Sequence, residues 1–129
     1  MKQRILLDTD ILVDFFHNQK YAKDLLTEVL LKGSLYISIL SVAELRTGFT
    51  SQQAKLLLPK LYKTVVIVNL SLEIAELAGK FRSEYRSQGI SLPTVDTLIA
   101  ATAIVEDCQL VTRNKKDYPM RNLKLYPLQ

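Results

Sequence analysis

Short apolar runs alternate along this chain with longer segments whose apolar residues recur at helical spacing. Arg4-Ile5-Leu6-Leu7 is a compact apolar run ending at Asp8, the pattern of a strand covered on both faces. Ile11 to Phe16 opens a short helix. From Tyr21 to Lys32 the apolar residues Leu25, Leu26, Val29 and Leu30 share one helical face, and Gly33 follows where such a helix should stop. Leu35 to Ser38 predicts a second strand. Two helices come next, Ser41 to Thr47 closed by Gly48, and Gln52 to Leu61 disturbed by Pro59. The β-branched run Val65 to Val68 predicts a third strand. Leu72 to Arg86 reads as a long helix ending near Gly89, and Thr94 to Glu106 as an apolar, alanine-rich one. Leu110 to Thr112 and Leu123 to Tyr126 are the last two predicted strands.

Helices set between short, wholly apolar strands predict an α/β fold, a parallel sheet with helices on both faces. Ligands of such sheets bind at the carboxyl edge of the strands. The chain has 129 residues with neither repeat nor linker, so one domain spanning 1–129 is expected. That length buries a core without disulfide support, and the single cysteine, Cys108, sits among apolar segments as an inert thiol. The N-terminus has an apolar run of only three residues before Asp8 and no segment is long and apolar enough for a membrane span, so a cytoplasmic protein is expected.

Charge and composition exclude more than they assert. The net charge of +4 hints at a polyanionic partner. One histidine, His17, and one cysteine leave too few ligands for a zinc site of nitrogen and sulfur. They also leave no histidine pair for ribonuclease chemistry through the 2′-hydroxyl.

Four acids fall at or just after predicted strand ends: Asp8, Glu44, Asp96 and Asp117. Each has an ordinary reading. Ser41-Val42-Ala43-Glu44 has the form of a capping box. Asp96 after Pro93 would complement a helix dipole. Asn114 and Asp117 could be a cap and its third-position acid, and Asp8 could bond a turn. Jointly they point elsewhere, because strand ends of a parallel sheet share one edge. Clustered carboxylates repel, burial raises their pKa values, and a divalent cation relieves both effects. Oxygen-only ligands suit Mg²⁺ or Mn²⁺, which activate water and stabilise charge on a phosphoryl group.

In four segments the sequence resembles the PIN-domain family, and most closely its VapC-type toxins. These are Leu7 to Asp14 (LDTDILVD), Ser38 to Gly48 (SILSVAELRTG), Leu92 to Ala103 (LPTVDTLIAATA) and Leu110 to Tyr118 (LVTRNKKDY). They follow the family order and span nearly the whole chain. The resemblance implies a three-layer α/β/α sandwich, Mg²⁺ or Mn²⁺, endonucleolytic cleavage of single-stranded RNA, dimers, and a cognate VapB-like antitoxin. By position Asp8, Glu44 and Asp96 match the acidic core. The family sets its fourth acid at position 114 or 117. This chain has Asn114 and Asp117, and we read Asp117 as the acid with Asn114 as a polar helper. Thr9 matches the hydroxyl that follows the first aspartate. Asp10 stands where asparagine is common, which leaves its role open.

Arg113 and Lys115 flank the acids and are expected to meet substrate phosphates. Lys80, Arg82 and Arg86 read as a solvated helix face. Phe15, Phe16, Phe81 and Tyr85 read as core or dimer interface. Two other functions fit parts of the sequence. Asp8-Thr9-Asp10 is similar to the aspartate pair of haloacid-dehalogenase-like phosphatases, although Leu12 stands where that family has Thr or Val. A non-catalytic PIN relative that binds RNA or protein is the other.

Overall fold

The computed structural model describes residues 2–128. In chain order it has β1 (Gln3–Leu7), α1 (Thr9–Phe16), α2 (Lys20–Lys32), β2 (Gly33–Ser38), α3 (Ile39–Gly48), α4 (Ser51–Thr64), β3 (Val66–Val68), α5 (Leu72–Ser87), α6 (Thr94–Val105), β4 (Gln109–Val111) and a 3₁₀ turn (Lys115–Asp117). The strands form one parallel sheet in the order β3-β2-β1-β4.

Alternation along each strand builds the three layers. Ile5 and Leu7 of β1, Leu35 and Ile37 of β2 and Val111 of β4 face a core shared with α1, α2, α3 and α4. Leu6, Tyr36 and Leu110 face the opposite side, against α5 and α6. The crossovers from β1 to β2 to β3 step in one direction, and the crossover from β3 to β4 steps back past β1. Crossovers of constant hand that reverse direction must lie on opposite faces. Alanines 100, 101 and 103 of α6 are fully buried, and their small size lets the helix lie close to both α5 and the sheet.

Several local readings shift. Gly33 does end α2, but as the first residue of β2, lying against β1. A Cβ there would stand 2.0 Å from the Gln3 carbonyl oxygen, so close strand approach is what requires glycine. Helix α4 runs through Pro59 to Thr64. Pro59 lies on its exposed face, where water can take the Lys55 carbonyl that the proline leaves unpaired. The predicted fifth strand reduces to a single parallel bridge between Leu110 and Leu125. Tyr126 donates its N–H to Leu110, and Pro127 follows with no N–H to extend the ladder.

The correction that matters for function concerns α3. Ser38, not Ser41, caps this helix, its Oγ accepting from the Leu40 N–H at 3.1 Å. Ser41 is therefore inside the helix and fully buried, and Glu44 stands in the second turn. The capping-box reading of Glu44 falls with that change.

Candidate active site

The strand order reverses between β1 and β4, and the carboxyl ends of these two strands open a crevice there. Asp8 follows β1 directly and caps α1. Its N–H donates to the Val111 carbonyl at 2.9 Å, so the two strands remain paired up to the edge. One carboxylate oxygen accepts from the Thr9 N–H at 2.8 Å and the other from the Thr112 hydroxyl at 2.7 Å. Asp8 is only 5% exposed, so these bonds hold an ionisable group that water barely reaches.

Thr9 links the first acid to the second. Its hydroxyl donates to Glu44 Oε1 at 2.6 Å. Having spent its one proton, it accepts from the Ser41 hydroxyl at 2.8 Å. Asp96 enters from α6, in the first turn after Pro93. Burial pushes its pKa up to about 6, with Asp8, Asp117 and Glu44 adding repulsion and a contact from Tyr118 opposing it. Asp8, Thr9, Glu44, Asp96 and Asn114 thus line one cleft of about 380 Å³.

Asp10, Val13 and Asp14 line the same cleft from α1. Burial, and next the charge of Asp8, pushes Asp10 up to about 7, and its Oδ1 is buried with no hydrogen-bond partner. Asp14 accepts from the Tyr21 hydroxyl and lies 3.7 Å from the Arg113 guanidinium, which stacks over the Tyr21 ring at 4.7 Å. Arg113 is thereby held at the rim of the acids. Lys115 is exposed and makes no ion pair among the described residues. The basic group on α5 is ordinary helix surface by comparison. Lys80 pairs with Glu84, and Arg82 reaches the Leu92 carbonyl at 3.4 Å.

The fourth position divides between two residues. Asn114 lines the cleft, and its amide donates to Asp117 behind it. Asp117 acts on the cleft through that amide and through its charge on Asp96. Sequence reasoning also missed Ser41, Thr112, Asp14 and Tyr118. Thr112 had a signal, a hydroxyl ending one strand opposite the acid that ends its neighbour. Asp14 had a weaker one, following Asp10 by four residues on a helix.

Among the described residues, no three acid side chains meet as a ready-made direct cage for an ion. The donor set still suits a hard cation, being oxygen throughout with one acceptor left unpaired. Mg²⁺ retains several waters and needs only one or two carboxylates, so a wide acidic cleft fits it. A larger groove, about 690 Å³, lies elsewhere, along α1, α2 and α4. It is walled by Phe15, Phe16, Leu26 and Leu61 with Lys23 and Lys60 as its only charges, and carries no acid.

A three-layer α/β/α fold with acids gathered at its topological switch point is the class to which fold and cleft assign this protein. The chain belongs to the PIN domain family, whose model matches residues 5–122. Within that family its similarity is to VapC-type members. It is 35% identical over 116 residues to Ribonuclease VapC19 of Mycobacterium tuberculosis, covering 89% of this chain and 92% of that one. It is 34% identical to Ribonuclease VapC10 of the same organism, covering 90% and 86%. Among solved structures, VapBC2 from Rickettsia felis bound to a promoter DNA fragment superposes with a TM-score of 0.85 at 26% identity, over 98% of this chain and all of that chain. A toxin–antitoxin complex from Klebsiella pneumoniae gives 0.78 at 29% identity, over 96% and 99%. Membership in the PIN domain family removes the phosphatase reading of Asp8-Thr9-Asp10.

Proposed function

We propose that this protein is a Mg²⁺- or Mn²⁺-dependent endoribonuclease, the toxin of a type II toxin–antitoxin pair, acting in the cytoplasm on single-stranded regions of RNA. The observation that carries the reading is the meeting of Asp8, Glu44 and Asp96 in one cleft of a VapC-like chain. A cleft of oxygen ligands has no positive charge of its own for an RNA backbone, so it needs a cation to work on one.

Asp8, Glu44 and Asp96 would hold the ion, with Asp117 assisting through Asn114. When bound, the ion supplies an acidified water and positive charge toward the phosphoryl oxygens. Thr9 and Thr112 fix the carboxylates so that they need no rearrangement on loading. Arg113, braced by Asp14 and Tyr21, is set to contact a backbone phosphate, and the exposed Lys115 is available to a second. With His17 as the one histidine, water is the natural nucleophile, leaving a 5′-phosphate and a 3′-hydroxyl.

The relatives named as toxin–antitoxin complexes support a protein antitoxin as partner; a homodimer is proposed on the VapC-type resemblance alone. The apolar groove beside α2 and α4 suits an amphipathic helix of such a partner.

The test incubates end-labelled single-stranded RNA with Mg²⁺, with Mn²⁺ and with EDTA, and maps the product ends. Asp96→Asn should retain RNA binding and lose cleavage by a factor on the order of a hundred or more. Cleavage persisting in EDTA, or products ending in a cyclic phosphate, would refute the mechanism.

A further inference from the structure

We infer that Tyr21 is a positioning residue for the RNA backbone. Its hydroxyl keeps the Asp14 carboxylate from capturing the Arg113 guanidinium, and its ring seats that guanidinium at the rim of the cleft with N–H donors left for a phosphate. The inference rests on the ribonuclease reading proposed above and deepens it by naming what keeps Arg113 available.

An arginine beside an acidic cleft is at risk of being neutralised by it. Guanidinium and carboxylate match as a two-pronged pair, and a phosphate seeks the same prongs. Arg113 meets this competition from Asp14, which lines the cleft and whose Oδ2 lies 3.7 Å from Arg113 Nη1. At that separation the charges attract, but the contact is too long for a hydrogen bond. The same Oδ2 accepts the proton of the Tyr21 hydroxyl. Arg113 in turn lies over the Tyr21 ring, 4.7 Å from its centre.

One side chain thus holds both charges, each at a different part of its ring. A phenol O–H lies in the plane of its ring, so the carboxylate it binds sits off the edge. The guanidinium sits over the face. A two-pronged pair needs guanidinium and carboxylate in one plane, and this arrangement denies it. The backbone that carries Arg113 is pinned as well. Thr112 before it donates its hydroxyl to Asp8 Oδ2 at 2.7 Å and accepts the Asn114 N–H at 3.0 Å. The Arg113 side chain is 59% exposed, so RNA can reach it, yet it is held at both ends. Such an arginine gives up little rotamer freedom on meeting a phosphate.

The test is run on Asp96→Asn protein with Mg²⁺, so that RNA is bound and not cut. Binding of a fluorescein-labelled single-stranded RNA of mixed sequence is followed by anisotropy across a salt series. Tyr21→Phe keeps the ring and releases Asp14. It should weaken binding about threefold, the scale of one exposed ion pair formed in competition. Tyr21→Leu removes the seat too and should weaken binding about tenfold. Tyr21→Phe should also make the salt dependence shallower, toward that of Arg113→Ala, because a paired arginine displaces no counterion. Added to Arg113→Ala or to Asp14→Asn, Tyr21→Phe should change nothing, since one side of the competition is gone. A Tyr21→Phe protein that binds RNA as its parent does, or a loss that persists in either background, would overturn the inference and leave the nuclease reading standing. Unchanged affinity and salt slope in Arg113→Ala would remove the phosphate contact and the inference with it. A parent that binds no RNA would overturn the ribonuclease reading itself.

Discussion

Asp96→Asn should make the metal-free protein more stable at neutral pH, although it removes a group on which the proposed chemistry depends. The Asp96 carboxyl is raised from 3.8 to about 6 in the folded chain, first by burial and then by its acidic neighbours. The folded state therefore binds this proton more tightly than the unfolded state does. Stability from this group is fully present below pH 3.8, declines as pH rises toward 6, and stays low above that. At ~1.4 kcal/mol per pH unit the rise corresponds to about 3 kcal/mol held against the ionised form. Solvent in the open cleft screens part of it, leaving about 1–2 kcal/mol. Asparagine has the same shape and no charge to desolvate. Urea unfolding in EDTA at pH 7.5 should then show the variant more stable by about 1–2 kcal/mol, or roughly 4–8 °C in thermal melts. At pH 4 the two proteins should nearly coincide. Saturating Mn²⁺ should reverse the order, since an ion that binds only the folded wild type stabilises it by mass action. A variant less stable than wild type in EDTA at pH 7.5, or an offset independent of pH, would refute the electrostatic account of the cleft.

Gly33→Ala should cost a few kcal/mol in urea unfolding, because its Cβ would meet the Gln3 carbonyl oxygen at 2.0 Å and must part β1 from β2. A loss under ~0.5 kcal/mol would mean the strands separate easily. Arg113→Ala should weaken RNA binding and lower the slope of log affinity against log salt by about one, as the loss of one phosphate contact does. An unchanged slope would remove Arg113 from the RNA surface. Light scattering on the isolated protein should report a dimer, and a strict monomer at high micromolar concentration would count against self-association.

How much of this was legible beforehand varies with the range of the interaction involved. The fold class and nearly every element followed from local information. Apolar runs such as Ile5 to Leu7 and Ile37 can be buried on two faces only between helix layers, and the helices announce themselves by spacing. Asp8, Glu44 and Asp96 stood out because strand-end acids recur at one edge of any parallel sheet. Other features needed the tertiary structure, because they depend on contacts between distant segments. Ser38 displaced Ser41 as the α3 cap because the helix starts at Ile39, directly after β2, which sets Ser41 inside the helix, where it bonds Thr9 from 32 positions away. Asn114 rather than Asp117 reached the cleft because a 3₁₀ turn set them one behind the other. Thr112 is an ordinary core residue by sequence pattern. Its hydroxyl meets Asp8 only because β4 crosses back to pair with β1, bringing together side chains more than a hundred positions apart. Periodicity in a sequence reports which face a residue buries, whereas what it touches there is decided by the order in which the strands assemble.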